Sequence, residues 1–518
     1  MARTFVQTCN QCAAGPGLRI VARGRASGWT RISNFIVNTE RRILLNTFML
    51  GAGEGIGQLT NFIIVISLAR AFGAGVLGQY AVSMAVGAVA TLFVALGTQP
   101  LLIREIGRDP GSSRDLLGVL MPVQLVLSAI TWLAACLVCI MLIDEAGAIP
   151  VIAAICAYQI LVRLATTLLT PFQATEQMQA AISGQMLHRF LTLALALTAI
   201  WLGADAGTVT LAFVAGAAFL IAFAWVAGSR RFGRPRLQLD WRRALGLFRR
   251  ASPFLGLTAL SVVYVRGGLI MLSALSGPVA VGLYAVVDRF MVAAGLAPGV
   301  FNSAVYPALS RIARDSTADA RALAVRCLRL MMVGTIPLAA MISIFAHDIL
   351  ALLFGAEFLP AAVALEVLAW TLPLRGAQWL LGSQLAALDL QAAMAKGRSV
   401  ALAAFLTLTP ALILGLGFVG VAWAVLLCDA LQLALYRRVL QRAQSAPSLT
   451  KSSVPPALAA VATLVTSAIA NDLPLVARVL VAATVMATGL WAFGAIRRTD
   501  LEFLLALIRS RRRAAAGS

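Results

Sequence analysis

The chain consists largely of apolar runs of about twenty residues, separated by short polar segments. A run of this length allows an α-helix to cross the hydrocarbon core of a bilayer. Charged residues make up 12% of the 518 residues, whereas a soluble globular protein carries about 25%. The alternation of apolar and polar residues that is typical of membrane β-strands does not occur in the sequence. The sequence therefore predicts an all-α polytopic membrane protein.

Fourteen segments are predicted to span the membrane, because each combines sufficient length with an apolar composition. In chain order they are 43–69, 78–103, 116–143, 150–172, 181–203, 206–228, 253–276, 279–306, 326–346, 360–388, 398–415, 417–436, 454–471 and 475–496.

The polar segments divide the chain into six parts. These are a basic N-terminal tail at 1–40, a six-helix bundle at 41–228, a basic linker at 229–252, a second six-helix bundle at 253–440, two additional helices at 441–496, and a basic tail at 497–518. We expect the two bundles to surround a central cavity, with the last two helices outside this core.

A short motif occurs twice, at 68–82 and 272–286. Its matching pairs are Leu68 and Leu272, Gly73 and Gly277, Gly78 and Gly282, Tyr80 and Tyr284, Ala81 and Ala285, and Val82 and Val286. In both copies a long apolar segment precedes the motif and another follows it. The motif therefore predicts a helix, a tight turn that contains glycine and a second helix, in two homologous halves such as secondary transporters have.

Basic residues concentrate in alternate loops. One set of loops, together with both tails, is basic in every member except 173–180; the set comprises 104–115, 173–180, 229–252, 307–325, 389–397 and 437–453. The other set contains Arg70 as its only basic residue. Because basic loops stay in the cytoplasm, both termini are predicted to be cytoplasmic, in a multi-pass protein of the bacterial inner membrane. An even number of helices in each half makes the two repeats parallel.

The motif residues also carry a family resemblance. The first copy continues from L-A-R-A-F-G through G-Q-Y-A to G-T-Q-P-L-L-I-R-E-I, and the second from G-L-Y-A-V-V-D-R to Y-P-A-L-S-R. Over about 40–110 and 253–315, the chain resembles bacterial polysaccharide transporters, including O-antigen flippases. Their superfamily also contains peptidoglycan-precursor flippases and multidrug extrusion pumps. The resemblance implies two six-helix bundles around a cavity, and a polyprenyl-pyrophosphate-linked oligosaccharide as substrate. It also implies an outer-face polymerase and a chain-length regulator as partners.

Several charged residues lie within the predicted spanning segments. The cations are Arg163, Arg266, Arg289 and Arg375, and the anions are Glu54, Asp288, Glu366 and Asp429. A charge at the centre of a membrane helix costs roughly 3 kcal/mol on insertion scales, so such residues usually face a cavity or a partner. One interpretation is that the four arginines converge on the pyrophosphate, since guanidinium groups bind phosphate oxygens in pairs. The other is that each arginine neutralises a nearby carboxylate.

Two interpretations remain for each of Glu54, Asp288 and Arg70. Glu54, with Asp288, is either an ion-coupling carboxylate for a proton or sodium gradient or a counter-ion of one of these arginines. Glu54 lies in the glycine-rich stretch G-A-G-E-G-I-G, where a helix can bend or pack closely. Arg70 is a candidate exit gate for the phosphate or, equally, an anchor for lipid headgroups.

Other functions receive no support from the sequence. It contains no G-K-S/T phosphate loop, no cluster of residues with metal-ligand spacing, and no long outer loop with catalytic acids. The net charge of +21 resides mainly in short loops, which favours helix orientation over nucleic-acid binding. We therefore expect no catalytic residues, metal or cofactor.

The leading hypothesis is a flippase for surface or exopolysaccharide synthesis that works by alternating access. Two alternatives remain at this point: a cation-coupled multidrug antiporter of the same superfamily, and a membrane scaffold for polysaccharide assembly. An antiporter predicts a cavity in which carboxylates dominate, and a scaffold predicts that every midplane charge is dispensable.

Overall fold

The computed structural model describes residues 19–470 and 472–495, with side-chain surroundings for nearly all of them from residue 51 onward. Residues 1–18 and 496–518, which contain much of the two predicted basic tails, lie outside the described residues. Residues 19–40 differ from expectation: they are helical and continue without a break into the first membrane helix.

The described part of the first half, from residue 19 to the linker, contains six helices. They are α1 (Arg19–Ala95), α2 (Thr98–Arg108), α3 (Ser113–Ile143), α4 (Ile149–Ala174), α5 (Met178–Trp201) and α6 (Ala206–Phe232). Short 3₁₀ turns precede α3 and α4, at Pro110–Ser112 and Ala146–Ala148.

The second half and the C-terminal addition follow. Their helices are α7 (Trp241–Ala294), α8 (Leu296–Asp315), α9 (Thr317–Ile344), α10 (Ala346–Leu353), α11 (Ala362–Ala369), α12 (Thr371–Ala387), α13 (Gln391–Leu416), α14 (Phe418–Arg442), α15 (Leu449–Ile469) and α16 (Leu475–Ala492). A 3₁₀ turn, Ala356–Ala361, joins α10 to α11.

The described residues contain twelve helical stretches that are long and apolar enough to cross a membrane. Two of them, Gly53–Ala95 and Phe254–Arg314, are long enough for two crossings. Each is interrupted by a glycine in the left-handed region, Gly73 at φ 74° and Gly277 at φ 77°. A residue with a Cβ rarely adopts this conformation, so glycine permits the turn. Dividing both stretches at these glycines gives the fourteen predicted spans, and no strand occurs among the described residues.

The two copies of the motif touch each other reciprocally. A Cβ on Gly78 would lie 1.8 Å from the carbonyl oxygen of Pro278, and a Cβ on Gly282 would lie 1.9 Å from that of Ala74. In the gapless repeat, Ala74 corresponds to Pro278 and Gly78 to Gly282. The contact is therefore self-complementary, as expected across a local two-fold axis between parallel repeats. We call the end of the molecule that carries Gly73 and Gly277 the bend end, and the opposite end the basic end.

The linker between the halves is docked on α3. Helix α6 extends to residue 232 and α7 begins at 241, so only 233–240 is irregular. Pro122 has no N–H and cannot bond the carbonyl of Gly118. The backbone N–H of Gln238 donates to that carbonyl instead, at 2.9 Å. Because Gly118 has no side chain, the carbonyl of Arg236 can also approach it closely.

Some helices extend beyond their predicted spans. Helix α9 begins at Thr317 and α13 at Gln391, several residues before the apolar segments predicted at 326 and 398. The additional turns contain charged residues such as Arg321 and Lys396, which apolar composition alone does not assign to a span. The two C-terminal helices pack on α9, and Arg478 of α16 pairs with Asp348 at 3.4 Å.

Candidate functional site

A cavity of about 770 Å³ lies in the second half of the molecule. Helices α7, α8, α12, α13 and α14 line it, and α1 contributes Gln58. The charged residues in the lining are Arg266, Asp288, Arg289, Arg375, Arg398 and Asp429. Four arginines against two aspartates leave the lining with a net positive charge. The structure thus brings together three of the four predicted arginines, and Asp288 with them.

Asp429 organises one wall of this cavity. Its side chain is 3% exposed, and its Oδ2 accepts from Arg375 Nε at 2.8 Å. Its Oδ1 accepts from the hydroxyl of Tyr264 at 3.0 Å. Gln378 donates to the backbone carbonyl of the same residue. Both carboxylate oxygens are therefore used, and the charge of Arg375 is neutralised within the protein. The counter-ion interpretation therefore describes Arg375.

Arg266 and Arg289 differ from Arg375. Both are partly buried and line the cavity, yet neither forms an ion pair with a carboxylate among the described residues. They lie on opposite sides of Gly277, each roughly 17 Å along the helix from it, so they are at similar depth. Asp288 lines the same cavity. At Arg266 and Arg289, an anion therefore finds guanidinium N–H donors that no carboxylate of the described residues occupies.

Arg163 lies outside this cavity. It belongs to α4 in the first half, where its Nη1 donates to Oε1 of Gln99 at 2.9 Å. Gln99 in turn donates to the side chain of Gln173 at 3.2 Å. The predicted convergence of all four arginines is therefore not observed, because amide groups of the first half hold Arg163 in place.

Glu54 pairs with an arginine that the sequence analysis did not consider. Its Oε2 lies 3.4 Å from Nη2 of Arg189, and its Oε1 accepts from Gln58 Nε2 at 2.7 Å. Arg189 also donates to the carbonyl of Gly53 at 3.2 Å. A Cβ on Gly57 would lie 1.4 Å from the guanidinium group of Arg189, so the glycine-rich stretch makes room for this side chain. Through Gln58, the pair adjoins the cavity.

Arg70 lies at the bend end and connects the two halves. Its Nε donates to the carbonyl of Leu353 at 2.9 Å, and its Nη2 donates to that of Leu352. These carbonyls end α10, where a helix lacks internal donors and where positive charge is favourable. Nearby, Glu357 accepts from the backbone N–H of Ala74 at 2.8 Å. In the structure Arg70 therefore caps a helix of the opposite half.

Among the residues that line the cavity, Tyr264, Trp379 and Arg398 were not predicted as site residues, and Asp429 was predicted only as one of the charges within the spans. Asp429 carried a usable signal, a carboxylate in the middle of an apolar segment. Tyr264 and Trp379 gave none, because aromatic residues in a membrane helix are equally expected to pack against neighbours or lipid. Arg398 is the first residue of the predicted span 398–415, and a cation at the end of a span is equally expected at the membrane surface. No group of three His, Cys, Asp or Glu suitable for a metal occurs in the described part of the chain.

Comparison with known proteins gives a consistent fold. The family model for polysaccharide biosynthesis proteins matches residues 43–313. The lipid II flippase MurJ, in an inward closed conformation, matches with a TM-score of 0.65 and 14% sequence identity, over 87% of this chain and 98% of that chain. An inward-facing MATE multidrug resistance transporter of the MOP superfamily matches with a TM-score of 0.58 and 13% identity, over 75% and 95%. A search of curated proteins gave no match. At these identities the matched structures establish the fold alone, which this chain shares with both of them.

Proposed function

Because the chain belongs to the polysaccharide biosynthesis protein family, we propose that it is a flippase for a polyprenyl-pyrophosphate-linked oligosaccharide. It moves this lipid across the bacterial inner membrane for surface or exopolysaccharide synthesis. The observation that carries the proposal is the pair Arg266 and Arg289, two cavity arginines without a carboxylate partner among the described residues.

The charge of the cavity suits a pyrophosphate. A pyrophosphate diester carries about two negative charges, and the lining contains two more arginines than aspartates. Arg266 and Arg289 each offer paired N–H donors to phosphate oxygens. Arg375 contributes less, because Asp429 already holds it at 2.8 Å. A multidrug antiporter for cations would instead be expected to have a cavity lining with a net negative charge.

The difference between the two ends of the molecule supports alternating access as the mechanism. At the bend end the halves meet through Gly78 and Gly282 and are linked by Arg70 and Glu357. The cavity extends away from the bend end, toward Ala386 and other residues near the basic end. With the basic end in the cytoplasm, together with both termini, the lipid-linked sugar enters there.

Outward release then requires the contacts at the bend end to separate. Arg70 becomes available to the departing phosphate when it leaves α10, and Glu54 and Asp288 are the candidates for coupling to a proton or sodium gradient. An outer-face polymerase and a chain-length regulator would receive the product.

The test is complementation in a host that lacks its own flippase, with R266A and R289A, singly and together. We expect surface polymer to fall at least ten-fold in the double variant, with the lipid-linked intermediate retained on the cytoplasmic leaflet. R242A, which removes an exposed arginine at the start of α7, is the matched control and should export normally. Normal export with both cavity arginines replaced, at unchanged protein level, would contradict the proposal and favour the antiporter or scaffold alternatives.

A further inference from the structure

The cavity changes character along its depth. At mid-depth its lining is charged and contains Arg266, Arg289, Arg375 and Asp429. Toward the basic end, apart from Arg398, the lining becomes uncharged, polar and aromatic. The residues that matter here are Asn302, Ser303, Tyr306, Trp379 and Ser383. Apart from Arg398, this second region offers no cation to a pyrophosphate.

Trp379 forms the floor of this region. Ideal Cβ positions on Gly295 and Gly299 lie 3.9 Å and 3.6 Å from its six-membered ring. The two glycines are one helical turn apart, so they present bare backbone on a single face and the indole packs against it. Trp379 is nevertheless 38% exposed and lines the cavity. The ring is therefore held in place on one side and available to a ligand on another.

Hydrogen-bonding groups stand beside this ring. The hydroxyl of Ser383, one turn from Trp379 on α12, donates to Oδ1 of Asn302 at 3.2 Å. That bond leaves the amide NH₂ of Asn302 without a protein partner among the described residues. Tyr306, one turn further along α8, is 43% exposed and lines the same cavity. We call Trp379, Asn302, Ser383 and Tyr306 the aromatic shelf.

We propose that the aromatic shelf binds a sugar ring of the transported lipid. A sugar ring has an apolar face of C–H groups, which suits a rigid indole, and a rim of hydroxyl groups, which suits an amide and hydroxyls. Trp379 lies one turn along α12 from Arg375, about 6 Å toward the basic end. A sugar attached to a pyrophosphate at Arg266 and Arg289 therefore reaches the shelf. The inference rests on the proposed function and adds the site at which the carbohydrate is recognised.

Two lipid probes test the aromatic shelf by native mass spectrometry of the purified protein. One is undecaprenyl pyrophosphate, and the other is the lipid-linked oligosaccharide that accumulates in a host lacking this protein. We expect the wild-type protein to bind the sugar-bearing probe roughly ten-fold more tightly, since an aromatic contact with hydrogen bonds contributes on the order of 1.4 kcal/mol. W379A should remove this preference and leave the affinity for undecaprenyl pyrophosphate unchanged, whereas W379F should keep most of it.

A matched control and separate outcomes make the experiment decisive. W423A removes a tryptophan of similar exposure, 40%, on α14 outside the cavity, and should bind both probes like the wild type. If neither probe binds to the wild type, the proposed function fails. If the wild type binds both probes equally, or W379A weakens both equally, the aromatic shelf is wrong while the pyrophosphate site stands. N302A gives the same comparison should W379A not fold.

Discussion

At the scale of single residues, Asp429 decides which arginine is available for an anion. Asp429 pairs with Arg375 of α12, and it accepts hydrogen bonds from the hydroxyl of Tyr264 on α7 and from the side-chain amide of Gln378 on α12. Three bonds to one nearly buried residue fix the relative positions of these helices on one side of the cavity. Arg266 and Arg289 have no such partner, so the protein separates a structural arginine from two that remain for a ligand.

We predict that D429A is strongly destabilising. It leaves Arg375 without its counter-ion; breaking a fully buried pair from one side costs about 3–5 kcal/mol, and the 34% exposure of the Arg375 side chain places the expected loss toward the lower end of that range. Thermal unfolding in detergent, followed by size-exclusion chromatography, measures the effect. The double variant R375M/D429L, which removes both charges, should recover much of the lost stability. Equal melting temperatures for D429A and the wild type would show that the ion pair does not hold this wall together.

At the scale of helices and loops, glycine and proline positions explain most of the departures from regular helix. Gly73 and Gly277 allow the turns, and Pro122 frees the carbonyl to which the linker bonds. The turns follow from the sequence because glycine recurs at equivalent positions of a repeat. The docking of the linker does not, since Gly118 and Gln238 are far apart in the chain and only the fold brings them together.

The partners of the charged side chains likewise do not follow from the sequence. The sequence places Glu54 and Arg163 inside helices, but it does not state which helices are neighbours. Glu54 faces Arg189 only because a glycine on α1 gives the arginine room. Trp379 belongs to the aromatic shelf because Gly295 and Gly299 lie beneath it, an arrangement of two helices that no local pattern encodes.

Asp205, between α5 and α6, gives a prediction for a helix end outside the membrane. Its carboxylate accepts from the hydroxyl of Thr208 at 2.6 Å and from the backbone N–H of Thr208 at 3.2 Å, as an N-cap does. These bonds, the hydroxyl first, hold the pKa of the Asp205 carboxyl below its usual range. Because this pKa is lowered, the ionised Asp205 cap stabilises the folded state at pH values above the ordinary pKa of the carboxyl. This stabilisation is lost as the pH falls through the lowered pKa.

D205A should therefore melt slightly below the wild type at neutral pH, on the order of 1–2 °C. The difference should shrink progressively below about pH 4. Asparagine is also a good N-cap but does not titrate, so D205N should retain the stability at neutral pH. Melting curves in detergent across this pH range provide the measurement. A deficit of D205A that persists unchanged in acid would rule out the ionised cap as its cause.

At the scale of the whole molecule, the repeat generates the contact that closes the bend end. The corresponding residues Ala74 and Pro278 supply carbonyl groups, and Gly78 and Gly282 leave space for them. Because the two contacts are related by the repeat, both must break together when the halves move apart. Arg70 and Glu357 add polar contacts to the opposite half, and in the second copy Ser273 donates to the carbonyl of Leu142 at 3.3 Å, so the closed end combines a symmetric steric fit with polar contacts that differ between the halves.

Because of this contact, alanine substitutions at the neighbouring glycines Gly78 and Gly75 should affect the closed bend end differently. A methyl group at Gly78 would lie 1.8 Å from a backbone carbonyl of the other half, and the halves must separate to admit it, whereas a Cβ at Gly75 meets nothing within 4 Å. Alanine itself favours a helix over glycine by about 1 kcal/mol, so a loss of closure in G78A would be steric. We expect G78A to open the bend end and G75A to leave it closed.

Labelling of A74C by a membrane-impermeant thiol reagent reports this opening, in a background whose native cysteines are replaced by alanine. Ala74 is only 1% exposed, so A74C should react slowly when the bend end is closed. Its labelling rate should rise several-fold with G78A, and again with G282A because the contact is reciprocal, but not with G75A. If G78A and G75A label alike, the glycine pair does not control the closed state, and the polar contacts of Arg70 and Glu357 must hold the halves together without it.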